Sequence, residues 1–349
     1  NGGYMVEVNN SDVTIRNCMI QKSRADGLRI QDGLPVLFNN TYQNNGGFPI
    51  NVNNPLSVTA VDDTSFFPDS IPAGIGDNRV QYIGGAVTGD VTFKDPGIPY
   101  RFDSNTTVSN NATMTIEPGV ELQMDPDMVL NIGFQATSLG TLMAQGTEAN
   151  PIVITDGGLG PWGLILFRIH TGSGTILDNV NLRNGGFTNA AGAGARRMLD
   201  VFTDNVTIRD CEIIDSAGEG LRISAGRPTL ENNTYKGNAS FPIGVYDPNS
   251  IAAVDTTSSF TLNGDNRIGY SGGNITDNTI IVDPGIPYNW QGSAIVRNGA
   301  HLVISPGVEI QFDPMVRLTI GHNAASKGAL TAIGSDTHPI LFTSGQAVP

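Results

Sequence analysis

The chain has 349 residues, a formal net charge of −14 and a sequence pI near 4.5, with lysine only at Lys22, Lys94, Lys236 and Lys327. That balance argues against nucleic acid and against anionic membrane surfaces, because both need clustered basic residues. Aromatic residues make up 7% and glycines number 43, a composition suited to many short strands joined by tight turns.

In chain order, Met5-Val6-Glu7-Val8 is followed at an offset of 22 by Gly27-Leu28-Arg29-Ile30, and at the same offset again by Pro49-Ile50-Asn51-Val52. Ile15 keeps step with Leu37, Asn17 with Asn39, and Ile20 with Tyr42. Each segment is short, alternates apolar with polar, and favours Val, Ile, Leu and Thr, which predicts strands. Three such strands in each period predict one coil of a parallel β-helix, which buries its inward side chains only by stacking on the next coil. An asparagine ladder is expected at Asn17/Asn39 and again at Asp210/Asn232, with the side chains bonding the backbone of adjacent coils.

The whole pattern then repeats. Residues 13–62 and 206–255 are identical at 28 of 50 positions, at an offset of 193. Asp95-Pro96-Gly97-Ile98-Pro99-Tyr100 returns as Asp283-Pro284-Gly285-Ile286-Pro287-Tyr288, at an offset of 188, so a five-residue insertion is expected between Asp62 and Asp77. The expected organisation is one continuous solenoid over 1–349, built from tandem units of about 190 residues. One period covers 1–193 and most of the next covers 194–349. At about 22 residues per coil, each unit should hold about eight coils. Cys18 and Cys211 occupy the same place in the two copies and read as small buried hydrophobes, too far apart within one solenoid for a disulfide.

One passage points to a family. Thr115-Ile116-Glu117-Pro118-Gly119-Val120, then Gly140-Thr141-Leu142-Met143-Ala144-Gln145-Gly146-Thr147, then Pro151-Ile152-Val153-Ile154-Thr155 are matched in the second copy by Ile304–Val308, Gly328–Ala332 and Pro339-Ile340-Leu341-Phe342-Thr343-Ser344. It resembles a passage common in right-handed parallel β-helix surface proteins of bacteria and archaea. Val206–Ile223 is similar to the generic pectate-lyase-like repeat. The resemblance implies an all-β, right-handed parallel β-helix solenoid in an extracellular or cell-surface setting. It does not imply one activity, since that fold hosts lyases, hydrolases, epimerases, adhesins and phage spikes.

Catalytic constellations are thin. Polygalacturonase-like members of the fold carry clustered Asp residues, a Gly-His-Gly and an Arg-Ile-Lys. Here Asp62-Asp63, Gly321-His322-Asn323 and Arg29-Ile30-Gln31 match only in part and in the wrong order, and the second copy reads Asp255-Thr256. The Asp62-Asp63 pair is expected to be solvated turn residues. No catalytic or cofactor-binding residue is assigned. For a metal, calcium is the single candidate, at Asp125, Asp127 and Asp313, carboxylates of the Asp125-Pro126-Asp127 cluster and its copy Asp313-Pro314-Met315. The four histidines do not cluster in sequence.

The residues kept between copies are mainly Gly, Pro, Asn and aliphatics, which make folds rather than chemistry. The leading expectation is therefore a structural repeat segment: a stalk, adhesin or filament subunit. Its partner would be a second copy stacked end to end or the continuation of a longer array. The alternatives are a secreted polysaccharide lyase or hydrolase, and a carbohydrate-binding spike. A polysaccharide is the ligand class these alternatives imply.

Overall fold

The computed structural model describes residues 3–68, 76–134, 138–187 and 196–345. Its contacts divide the chain into two compact units, Asn1–Asn184 and Gly185–Pro349. Each is built from short strands paired in parallel with the equivalent strand one coil on, the arrangement of an all-β parallel β-helix solenoid.

In the first unit, Val6–Asn9, Thr14–Arg16 and Met19–Gln21 form one coil, and Leu28–Asp32, Val36–Phe38 and Thr41–Gln43 form the next. Like stacks on like. Val6 pairs in register with Leu28, then Ile50, Val80, Tyr100, Leu122, Ile154 and Leu182. From Leu28 onward this row is fully buried. The second unit repeats it with Leu199, Leu221 and Ile243, then Ile268, Tyr288, Ile310 and Phe342. Each aliphatic side chain enclosed this way contributes about 1.5–3 kcal/mol. A coil alone encloses nothing, so the stacking is the fold.

The strict period holds at the start of each unit and then loosens. Successive steps of the first unit's row, in sequence number, are 22, 22, 30, 20, 22, 32 and 28. Seven steps thus carry the ladder through eight strands from Val6 to Leu182, about 25 residues per turn. The reason is that the paired strands fix only the core-facing residues, while the connecting loops project outward and accept extra length. The third step is 30 in the first unit and 25 in the second, which puts the five-residue insertion between Ile50–Val52 and Val80–Tyr82. Residues 69–75 of that loop lie outside the described residues.

Two 3-10 segments, Pro55–Ala60 and Pro248–Ala253, stand in the third coil of each unit. Asn54 and Asp247 cap them by accepting from Leu56 N and Ser250 N. With Pro at the first position, both starts are preorganised.

The asparagine ladder forms at the expected positions, but its side chains lie outside instead of bonding the backbone of adjacent coils. Asn17, Asn39, Asp210 and Asn232 have φ of 53°, 50°, 52° and 53°, and this left-handed turn leaves their side chains outside. There Asn39 Nδ2 donates to Asn17 Oδ1 (2.7 Å) and Asn232 Nδ2 to Asp210 Oδ1 (2.5 Å). The inward residues are the next ones along. Asn40 Oδ1 accepts from Cys18 N (3.0 Å) and its Nδ2 donates to Ile15 O (2.9 Å). Asn233 does the same with Cys211 N (3.1 Å) and Ile208 O (2.8 Å). A second pair, Asn45 and Asn238, treats Ser23/Ile20 and Ser216/Ile213 alike. One amide thus satisfies a backbone donor and a backbone acceptor that the turn takes out of the strand ladders.

Cys211 is buried as expected, whereas Cys18 is exposed. The coil carrying Cys18 is paired on one side only among the described residues, through Thr14–Arg16 with Val36–Phe38 and Met19–Gln21 with Thr41–Gln43.

Candidate functional site

The outward side of the strands that carry Leu28, Ile50, Val80, Tyr100 and Leu122 is a hydrogen-bonded polar ladder. Asn51 Nδ2 donates to Asp26 Oδ2 (2.8 Å) and to Gln81 Oε1 (2.6 Å), and Gln81 Nε2 donates to Asp103 Oδ2 (2.6 Å). Arg101 holds Asp125 through two parallel bonds of 2.9 and 2.8 Å. That hydrogen bond, outweighing burial, raises the Arg101 pKa, while burial raises that of Asp103. Arg79 clasps Asp77 and reaches across to Gln123 Oε1 (2.9 Å), and Gln123 in turn donates to Glu121 (2.7 Å). The second unit repeats this clasp as Arg267, Asp265, Gln311 and Glu309.

The equivalent outward face of the second unit differs. Asn51 and Gln81 are replaced by Gly244 and Gly269, and the neighbouring side chains lean over both glycines. A Cβ at Gly244 would stand 2.6 Å from Glu219 Oε1, and one at Gly269 would stand 2.7 Å from the Phe241 ring. Asn53 is replaced by Tyr246, whose hydroxyl donates to Glu219 Oε1 (2.7 Å). Arg222 lies 4.2 Å over the Tyr246 ring and donates from Nε to Glu219 Oε2 (2.6 Å). Burial and the Glu219 charge push the Tyr246 phenol up to about 12. Burial pulls the Arg222 guanidinium down, but the Glu219 bond and charge outweigh it and leave it raised. Behind this group Asp200, wholly enclosed, accepts from Arg197 Nε (2.5 Å) and Ser224 Oγ (2.6 Å), and burial raises its pKa despite both bonds. In front opens a trough of about 380 Å³ lined by Arg196, Glu219, Arg222, Phe241, Tyr246 and Gln291.

Of the calcium candidates, Asp125 has both oxygens on Arg101, and Asp127 sits in a left-handed turn at φ 63°. Its counterpart Met315 has φ 65°, so the turn does not depend on a carboxylate. Asp313 is half-buried near Gly345. Among the described residues no three His, Cys, Asp or Glu side chains are grouped to hold a cation. Asp62 is not a solvated turn residue. It is buried and accepts from the Thr64 and Ser65 hydroxyls, tying down the loop after the 3-10 segment, while Asp63 is exposed. Asp255 repeats that role with Thr257 and Ser258. His322 lies in an exposed turn, where its N–H donates to Ser326 O, and Arg29 stacks 5.0 Å over Tyr4. Asn238, which opens the glycosylation sequon Asn238-Ala239-Ser240, is fully buried as an inward amide and is closed to modification in the folded chain.

Sequence reasoning misses the Glu219–Arg222–Tyr246 group and the trough. The available signal is the set of outward substitutions between copies, Asp26 to Glu219, Asn51 to Gly244, Asn53 to Tyr246 and Asp103 to Gln291. No protein-family model matches the chain, and comparison with curated proteins and with solved structures gives no match either.

Proposed function

We propose that this chain is a structural repeat segment of an extracellular or cell-surface protein of the pectate-lyase-like β-helix type, acting as a stalk, adhesin or filament subunit onto which further coils stack. The observation that carries the reading is a difference between equivalent positions. Leu130, Ile132, Leu142 and Ile154 are buried in the first unit, covered by the coil of strands Leu164–Phe167, Thr175–Asp178 and Val180–Arg183. Their counterparts in the second unit, Leu318, Ile320, Leu330 and Phe342, are half-buried or exposed, with Phe342 at 45%. The strands bearing them, Leu318–Ile320, Ala329–Ala332 and Leu341–Ser344, present an unpaired edge among the described residues. An apolar face beside open strand edges supports the reading that a second copy stacks there.

Further support comes from the engagement of the polar residues. Two of the acidic side chains that suggested catalysis or metal binding, Asp125 and Asp62, are bonded within their own unit, to Arg101 and to Thr64 and Ser65. The test is sedimentation of the purified chain over a concentration series, with Leu330→Glu beside it. End-to-end stacking gives association that rises with concentration and is lost in the variant. A chain that stays monomeric throughout, or that releases reducing ends or unsaturated products from acidic polysaccharide, would overturn the reading in favour of an enzyme.

A further inference from the structure

We infer that the stacking is head-to-tail: the face ending the second unit of one chain is taken by the face that begins the first unit of a second copy. The inference rests on the stacking reading and adds to it the partner surface and the polarity of the assembly. Three observations carry it.

The first is a second bare face. Met5, Val6, Val13, Ile15 and Cys18 lie in or beside the strands Val6–Asn9, Thr14–Arg16 and Met19–Gln21. All five are exposed or half-buried, with Met5 at 51%. Their counterparts in the second unit, Met198, Leu199, Val206, Ile208 and Cys211, are all buried. The local structure is the same in both. Cys18 Sγ donates to Arg16 O (3.2 Å) and Cys211 Sγ to Arg209 O (3.1 Å), so the side chain is held alike and only its cover differs. Among the described residues the three strands of this coil are paired on one side only. The first unit thus opens on an uncovered apolar face, as the second unit closes on one.

The second is the rule of pairing. Strands of successive described coils stack in parallel, like side chain over like. A first coil laid on a last coil continues that rule. Two last coils related by a two-fold axis do not, because the chains then wind in opposite senses across the contact and their three strands cannot all pair in parallel. Such a closed dimer also leaves both first coils bare.

The third is charge. Residues 1–25 hold two acidic and three basic side chains, a net +1, and residues 313–349 hold two of each. The chain's whole −14, and one charge more, therefore lies on residues 26–312. Copies that meet through the intervening coils bring like charge together, whereas a first coil meeting a last coil escapes that repulsion.

The test is sedimentation and thiol alkylation of the full chain over a concentration series, with Met5→Glu and Leu330→Glu beside it. Cys211 is buried, so the reactive thiol is Cys18. In the unaltered chain its alkylation should slow about ten-fold or more as association covers it. Each variant alone should stay monomeric, because each lacks one of the two faces. A mixture of the two should form a one-to-one dimer that grows no further, since each supplies the face the other has lost. The alkylation series needs no variant, so it decides the matter if a substitution disturbs the fold. Absence of any association removes the stacking reading and this inference with it. Association with Cys18 equally reactive throughout, or a Met5→Glu chain that associates as the unaltered chain does, leaves the stacking reading standing and overturns the head-to-tail inference.

Discussion

Position 36 is valine and its counterpart in the second unit, 229, is threonine. Phe38 answers to Glu231, Met19 to Glu212, Phe66 to Ser259 and Leu34 to Arg227. All five first-unit side chains are exposed. One residue further along each strand the copies agree, with Leu37 and Leu230 both buried, as are Tyr42 and Tyr235. The two units therefore share an inside and differ on the outside. Stacking explains this. An inward residue touches the coil before and the coil after, so a change there is felt three times. An outward residue answers mainly to solvent and to whatever binds that face. The ladder Asp26–Asn51–Gln81–Asp103 and the trough around Tyr246 are two uses of one equivalent surface.

The comparison can be broken most severely from within. Trp290, packed 4.8 Å from Tyr270 and 5.2 Å from Phe312, stands where the first unit has Phe102 beside Tyr82. Trp290→Ala and Phe102→Ala should each cost about 3–5 kcal/mol in urea titration, despite their different sizes, because both are fully buried at equivalent positions of the two units. A cost under about 1 kcal/mol for either would mean that the two cores are not equivalent.

The asparagine turns test the same equivalence more gently. Asn233→Ala leaves the Cys211 amide and the Ile208 carbonyl without their side-chain partner in a buried setting, at about 1–3 kcal/mol. Asn40→Ala strips Cys18 and Ile15 in a part-buried setting, where water compensates, and should cost less. Amide hydrogen exchange at Cys211 and Cys18 reads the difference directly, with the larger loss of protection expected at Cys211.

The smallest effect separates the outer faces. Asp200 is enclosed, and burial raises its pKa above the ordinary 3.8, whereas its counterpart Glu7 is exposed. A raised carboxyl pKa means that the folded chain binds this proton more tightly than the unfolded chain. The resulting stability is fully present below about pH 3.8 and is lost as pH rises through the folded value. Between those limits the unaltered chain should differ from Asp200→Asn by a slope of at most about 1.4 kcal/mol per pH unit, seen by melting across an acid series.

Much of the fold is legible in the sequence. The equal steps from Val6 to Leu28 to Ile50, and the copy beginning at Val206, are in the letters because stacking forces like residues into register. The inward asparagine lies one position beyond the expected one for a physical reason. Asn39-Asn40 and Asn232-Asn233 are doublets, and only backbone φ tells which member turns outward. The burial of Asp62, the exposure of Cys18 and the 3-10 segments are equally hidden, since each depends on what a neighbouring coil leaves open.

The candidate site is the least legible part. Glu219 and Arg222 share one strand while Tyr246 follows the equivalent strand of the next coil, and no local motif joins them. The coil winding brings them to one face, and two glycines one and two coils on let Glu219 and Phe241 lean across it.

The repeat, the strand chemistry and the inward ladder follow from the residues alone, because a solenoid writes its contacts as periodicity. The outer surface is settled in three dimensions: which turn residue points in, which carboxylates are neutralised, and where the trough opens. Those depend on lateral neighbours between coils, and loops of unequal length shift such neighbours without disturbing the core.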